Sequence, residues 1–276
     1  VSYEHASYIE IAFSYASDML TFEIINSNIP KDQTEESSGI GIENSRKRLD
    51  LIYGDNYSLK IKDTIDEYYV LIKDIIKGAD GIIISSVVPQ LNIIFKNLIE
   101  KYLNISPIFV GPGVKTGVRI IADNPKEAGA DLVAAASAAI ADYGDNVIVV
   151  DMGTATTFTY IENKIIKGVS ITAGLVTQRD ALIGNTSQLS QFEFKTPEKV
   201  IGSNTVDCLN SGLLYGHTFM IMGIIDAIIK ENNNSPKVVI TGGASRFIED
   251  LLPKQYIIDD VLLLKGLVNI YNRNKR

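Results

Sequence analysis

The chain reads as a two-domain α/β protein whose first part is an atypical α+β segment, and three observations carry that reading. With 276 residues, 46% of them hydrophobic and 21% charged, it can bury one large core or two ordinary ones. From about residue 64 onward, short apolar runs alternate with helical patterns, as in chains that build a sheet covered by helices. Two of those runs, VIVVD at 147–151 and KVVIT at 237–241, lead straight into glycine turns, GTATT and GGAS.

Composition narrows the class. A formal net charge of −7 and a pI near 5.0 disfavour binding to a nucleic-acid backbone, which needs a basic face, so no nucleic-acid partner is expected. One cysteine, Cys208, excludes an internal disulfide framework. The longest apolar candidate, GIIISSVVPQLNIIF at 81–95, is broken by Ser, Pro and Asn and falls short of the roughly 18 residues a spanning helix needs. A soluble, cytoplasmic protein without a membrane partner or signal peptide is expected. The chain starts at Val1 rather than Met, so a true start further upstream is also expected.

The elements follow in order. YIEIAFSY and MLTFEIINS alternate like antiparallel strands, and PKDQTEESSG interrupts them as a loop. ENSRKRLDLIYG suits a helix with Leu49, Ile52 and Tyr53 on one face and Gly54 as its stop, and YSLKIKD returns as a strand. DEYYVLIKDII is read as a helix, GIIISSVV as a buried strand, LNIIFKNLIEKYL as a helix, PIFVG as a strand and EAGADLVAAASAAIADYG as a helix. Residues 147–171 read as two strands around one tight turn. NTVDCLNSGLLYGHTFMIMGIIDAIIKE is a long helical region, ENNNSP a turn, and KVVITGGASRFIEDLL a buried strand, a glycine turn and a helix. Three regions are expected: 1–63, 64–145 and 146–276.

The chemistry concentrates at Asp151. A buried strand that delivers a carboxylate to its C-terminal end, followed by glycine and hydroxyl residues, offers backbone N–H and Thr donors to a polyphosphate, with the carboxylate beside its cation. A plain hairpin with a glycine turn explains the same residues. The second turn, VVITGGAS, adds bare backbone that a nucleotide can approach closely. His217 and Cys208 have no metal-ligand spacing with other His or Cys and are expected in the core, so no zinc site is proposed. Asp131, at the start of a helix rich in small residues, can be a pocket carboxylate or a residue favoured by the helix dipole. Lys115 can neutralise phosphate or be a solvated loop lysine.

An aspartate turn followed by a Thr-Gly-Gly turn in an α/β chain resembles the actin-like ATPase superfamily, the acetate and sugar kinase, RNase H-like fold. The resemblance tightens between 82 and 250. IISSVVPQLN, VGPGVKTGVRI, DNPKEAGADLVAAASAA, VIVVDMGTATTF, IGSNTVDCLNSGLLYG and VVITGGAS stand in the order and spacing of type III pantothenate kinases. The resemblance implies ATP-dependent phosphorylation of pantothenate, the first step of coenzyme A synthesis, in a homodimer that uses magnesium and a monovalent cation, potassium or ammonium. By position, Asp131 matches the general base, and Gly129, Ala130 and Leu132 its substrate-contacting neighbours. Thr205 matches a substrate contact, and Gly111, Gly113 and Lys115 lie in the segment lining the pantothenate side. Asp151 matches the cation ligand, and Thr154, with Gly153, Gly242 and Gly243, the nucleotide turns. Leu132 departs from the arginine often found there.

The family begins with a hairpin carrying its own Asp-x-Gly-Asn-Thr turn, and residues 1–60 contain no such sequence. They resemble instead the C-terminal part of a sensor histidine kinase ATP-binding domain, with Gly39, Gly41 and Asn44 in the place of its nucleotide lid and Asn26-Ser27 in that of its Asp-Gly motif. The join falls at DTIDEYYVLIKDI, where Thr64, Asp66, Glu67 and Tyr68 match the pantothenate kinase pattern and Tyr-Tyr-Val-Leu-Ile also suits a histidine kinase strand. Two readings of function result: a pantothenate kinase, impaired by the missing turn, or a catalytically incomplete nucleotide- or pantothenate-binding protein.

Overall fold

A computed structural model describes residues 9–16, 19–27, 58–63, 67–73, 80–86, 89–121, 128–186, 189 and 192–275. Two compact units divide the backbone, Val1–Ile82 with Ile93–Pro107, and Ile83–Asn92 with Ile108–Arg276.

The first unit holds a four-stranded sheet of order β1-β2-β4-β3, with β1 Ile9–Ala16, β2 Met19–Ser27, β3 Ser58–Asp63 and β4 Glu67–Lys73, every neighbouring pair antiparallel. β1, β2 and β3 fall on the alternating segments that predicted them. β4 corrects the helix expected over 66–76. Tyr68, Tyr69, Val70 and Ile72 favour the pleated surface, and a short apolar run cannot be told from a helix by periodicity alone. Here the run pairs on both sides, Ile72 with Phe22 and with Leu59. The helix expected over ENSRKRLDLIYG, and Gly39, Gly41, Asn44, Thr64 and Asp66, lie outside the described residues. Helix α1, Pro89–Leu103, starts in the second unit and continues in the first.

The second unit carries the candidate site. A two-stranded parallel pair, β5 Ile83–Ile84 and β6 Ile108–Phe109, stands beside a six-stranded sheet. The larger sheet contains β7 Arg119–Ile120, β8 Asn146–Met152, β9 Ala155–Glu162, β10 Ile165–Ala173, β11 Lys237–Thr241 and β12 Ile257–Ile258, in the order β12-β11-β8-β9-β10-β7. Residues 147–171 therefore hold three strands rather than two. The second turn, at Asn163 and Lys164, has both residues at positive φ, as a tight hairpin requires. β11 adds parallel to β8, and β12 parallel to β11.

Alternation along β8 sends its side chains to two cores. Val147 and Val149 face α2, Ala130–Tyr143, and α5, Leu262–Asn274. Ile148, Val150 and Met152 face α3, Leu175–Gly184, and α4, Thr205–Asn232, through Leu175, Leu214, Ile221 and Ile225. α2 is so rich in alanine that α5 crosses it at backbone contact. A Cβ on Gly266 would stand 1.8 Å from the Ala134 carbonyl oxygen, so only glycine fits there. At the far end of the sheet the buried Asp259 accepts hydrogen bonds from Tyr143 Oη and Lys265 Nζ, both at 2.7 Å. Burial pushes the Asp259 carboxyl up, but these two donors outweigh it and hold the group below its ordinary value.

Three further expectations change. After the glycine turn, residues 245–251 form two 3-10 turns, Ser245–Phe247 and Glu249–Leu251, rather than an α-helix. Cys208 is exposed rather than in the core, because it lies on the outer side of α4 beside the Gly202 carbonyl. α4 is also long and apolar enough to span a bilayer by length and composition, with a mean hydropathy of 1.6 in its most apolar window. Its buried residues pack on the sheet, as those of a core helix do.

Candidate functional site

Asp151 is the penultimate residue of β8, directly opposite Thr157 of β9 and in register with Thr241 of β11. By parity along the strands these three side chains share the face that α2 covers. Gly242 follows Thr241 with φ +90°, and a Cβ there would meet Asp151 Oδ1 at 2.5 Å and the Met152 nitrogen at 2.6 Å. Both the conformation and the space therefore demand glycine. The Ala244 N–H donates to the Met152 carbonyl and Ser245 Oγ to the Gly242 carbonyl, which ties the turn after β11 to the end of β8. Gly243 lies within this turn.

The turn after β8 is held from the other side. Gly153 and Thr154 are exposed, while the Thr154 carbonyl accepts from the Gly174 N–H at 2.9 Å and from Thr177 Oγ1 at 2.7 Å. Gly174, the residue before α3, has no room for a side chain against the Gly153 and Thr154 backbone. Behind the turn, Thr156 Oγ1 and Gln178 Nε2 bracket the ring of buried His217, at 3.0 Å from Nε2 and 3.2 Å from Nδ1. Burial pushes the His217 pKa down to about 4, so the ring is neutral at physiological pH.

Asp131 lies in the first turn of α2, where its Oδ1 accepts the Leu132 N–H at 2.8 Å. Gly129 has ordinary dihedrals, but a Cβ there would stand 2.3 Å from that same oxygen, so the glycine makes room for the carboxylate. α2 runs antiparallel to β8 through the Gly144 turn. Fourteen helical residues span about 21 Å and seven strand residues about 23 Å, so Asp131 returns to the edge where Asp151 ends. The 111–117 loop is brought to the same face. Val110 and Val114 pack with Val133 and Ala130, Ser137 Oγ donates to the Thr116 carbonyl, and the Asn274 side chain both accepts from the Lys115 N–H and donates to its carbonyl. Gly113 and Gly117 take positive φ in this loop, and the Lys115 residue is exposed.

Thr205 is not brought to that face. It starts α4, on the opposite side of the sheet, behind Asn204, whose side chain caps the helix through the Asp207 N–H. α4 spans about 42 Å against about 17 Å for β11, so Thr205 also overshoots the strand ends. The irregular stretch 192–203 is laced onto α4 by Asn210, Ser211 and Tyr215. With Asp207 of the helix it lines a cavity of about 360 Å³ that includes Lys195, Lys199 and Ser203.

Type III pantothenate kinase is the family that matches, over residues 40–227. The chain belongs to that family. Its second-unit sheet, three antiparallel strands extended by parallel β11 and β12 on one side and by the short parallel β7 on the other, is the core of the actin-like ATPase fold that the family shares. ATP-dependent phosphotransfer to a small molecule comes with the membership at that coarse level. Among solved structures, the chain is similar to a Campylobacter jejuni protein described as a Baf family transcriptional activator, with 21% identity and a TM-score of 0.51, over 71% of this chain and 84% of that one. The ethanolamine utilization protein EutJ from Carboxydothermus hydrogenoformans aligns over 95% and 90% at 13% identity, with a TM-score of 0.32 that carries no weight. The histidine kinase resemblance of residues 1–63 gains no support from these matches, and the family match overlaps it from residue 40.

The residues fit a nucleotide and its cation. Gly242 lets the backbone of the second turn close directly onto Asp151 and Met152, so the two glycine turns lie side by side. Thr157, opposite Asp151 on the same face, has a buried hydroxyl without a hydrogen-bond partner, the kind of group that an ion or water satisfies. Among the described residues no three His, Cys, Asp or Glu side chains cluster. A cation here would take one carboxylate from the protein and its other oxygens from phosphate and water, as nucleotide-bound magnesium does.

Sequence reasoning missed Gly174 before α3, Thr177 and Gln178 within it, the Asn274 clamp and the role of Gly266. Gly174 precedes an apolar helix start, which is a usable signal. The others act by contacts between residues far apart in the chain, and no local pattern marks them.

Proposed function

We propose that this chain phosphorylates pantothenate with ATP, giving 4'-phosphopantothenate, the entry step of coenzyme A synthesis, in the cytoplasm. The observation that carries the reading is Asp151 at a strand end, packed so closely on Gly242 that no side chain fits between them, and flanked by two glycine turns. Phosphoryl transfer asks the protein chiefly for positioning and charge neutralisation. ATP supplies the phosphoryl group, with magnesium and a monovalent cation, potassium or ammonium, offsetting its charge. Gly153, Thr154, Gly242 and Gly243 take the role of phosphate and nucleotide contacts, and Asp151 that of cation ligand. Asp131 takes the acceptor proton as general base, a role worth roughly 10² to 10⁴ in rate. Gly129, Ala130, Leu132, Gly111, Gly113 and Lys115 line the acceptor side.

Thr205, the other residue assigned to pantothenate, starts a helix on the opposite face of the sheet from Asp131. A homodimer reconciles the two assignments, with Thr205 of one copy completing the acceptor pocket of the other. Coupled measurement of ADP release with and without pantothenate, across potassium concentrations, tests the whole reading. Pantothenate-dependent release establishes the kinase. Nucleotide or pantothenate binding without release establishes the second reading, an incomplete binding protein.

A further inference from the structure

Behind the turn that follows β8 lies a polar relay that the chemistry above does not use. His217 is 2% exposed, in the middle of α4, on the side that packs against the sheet. Thr156, fully buried, opens β9 two residues after Thr154. Gln178 sits in the first turn of α3, next to Thr177, which holds the Thr154 carbonyl. Three elements thus meet at one imidazole.

The hydrogen-bond network fixes the ring's state. Gln178 Nε2 also donates to the Ala173 carbonyl at 2.9 Å, so the amide nitrogen, not its oxygen, faces His217. His217 Nδ1 therefore accepts, Nε2 carries the single ring proton, and that proton goes to Thr156 Oγ1. A buried polar chain of this kind is costly to break at either end and rigid when complete.

We propose that His217 is a positioning residue that fixes the Gly153–Thr154 turn, by holding Thr156 on one side of it and Gln178 of α3 on the other. Thr154 is pinned to α3 through Gly174 and Thr177, and α3 is pinned through Gln178 and His217 to the strand that leaves the same turn. The loop of contacts closes, so the backbone donors of the turn are preorganised before any ligand arrives, which is what an anion site built from main-chain N–H groups requires. That the turn serves ATP rests on the proposed kinase reading; that His217 orders it does not.

The test therefore has two readouts. In the protein without nucleotide, amide hydrogen exchange at Gly153 and Gly174 should quicken about tenfold in His217→Leu, while the amides of Val147–Val150 and of α2 keep their rates. Affinity for a fluorescent ATP analogue should fall about tenfold, with pantothenate affinity unchanged. His217→Gln, whose amide keeps one donor and one acceptor, should recover most of both. Should His217→Leu fail to fold, Thr156→Val and Gln178→Met each cut one bond of the relay without emptying the space. Unchanged exchange at Gly153 and Gly174 in folded variants overturns the proposal. So does exchange that quickens uniformly through β8 and α2, which marks a merely structural histidine. Faster exchange at the turn in a protein whose parent binds no nucleotide upholds the positioning role and sinks the kinase reading instead.

Discussion

The two sheets of this protein are built from similar strands and differ in direction. In the sheet of residues 9–73 every neighbour is antiparallel, so adjacent strands end at opposite edges and no two C-terminal ends lie side by side. In the second sheet β11 runs parallel to β8, and Thr241 stands in register with Asp151. Two strands then deliver their ends, and the glycine turns that follow, to one place. Gly153 and Thr154 open the β8–β9 turn beside the glycine turn that follows β11, which the Ala244 N–H ties to the Met152 carbonyl. Parallel addition, more than the hairpin itself, brings two glycine turns together at one sheet edge.

The largest expected effect probes the helix that brings its carboxylate to that edge. Asp131→Asn is isosteric but cannot take a proton, and should lower pantothenate-dependent ADP release by roughly 10³ with the circular dichroism spectrum unchanged. Turnover at the parent rate removes Asp131 from the role of base.

Acid should lower the stability of the fold through His217. His217 has a folded value of about 4, below its ordinary 6.5, so as pH falls the unfolded chain takes the proton first. The stabilisation is complete above 6.5 and disappears progressively between 6.5 and about 4, a loss on the order of 3 kcal/mol at 1.36 per unit. Urea midpoints at pH 7, 5.5 and 4 for the parent and His217→Gln report it. Parallel pH dependence in the two proteins rules out His217 as the source.

A change to the first sheet would make the two regions alike in content. Replacing residues 1–60 with a hairpin carrying Asp-x-Gly-Asn-Thr should raise the rate of ADP production about 10²-fold, the worth of one set of preorganised phosphate donors. An unrepaired chain that already turns over as fast contains a phosphate grip within residues 1–60. The smallest effect belongs to Asp151→Ala, which should raise the cation concentration needed for half-maximal nucleotide binding about tenfold, the worth of one charge-assisted contact of roughly 1.4 kcal/mol. Superimposable titrations in potassium for both proteins would argue that the cation sits elsewhere.

Much of this was legible in the sequence. VIVVD and KVVIT are short buried runs ending in glycine turns, and both became strands of the central sheet because β-branched residues and turn glycines agree there. The alanine run of α2 and the long apolar α4 were equally plain. DEYYVLIKDII was not, since its apolar residues suit either a helix or a doubly paired strand, and the partners that decide lie upstream in β3 and, much further back, in β2. Placing Asp151 needed only its strand. Seeing that Thr205 starts on the far face from Asp131 needed the parity of β8, which sends Val149 and Val150 to different cores. Asn274 and Gln178 matter through single contacts made across the fold, so composition and spacing hold no trace of them.

The contact of Gly266 with Ala134 leaves no slack between the last helix and the one that begins with Asp131. Adding a single methyl group there must push α2 along or away from the sheet, and its first turn lies one helical repeat from the point of impact. A lesion at Gly266 would then imitate an active-site mutation, with normal nucleotide affinity and a misplaced base, although the altered residue meets no ligand. Anyone trimming or tagging the C-terminal helix would be adjusting the position of Asp131 from behind.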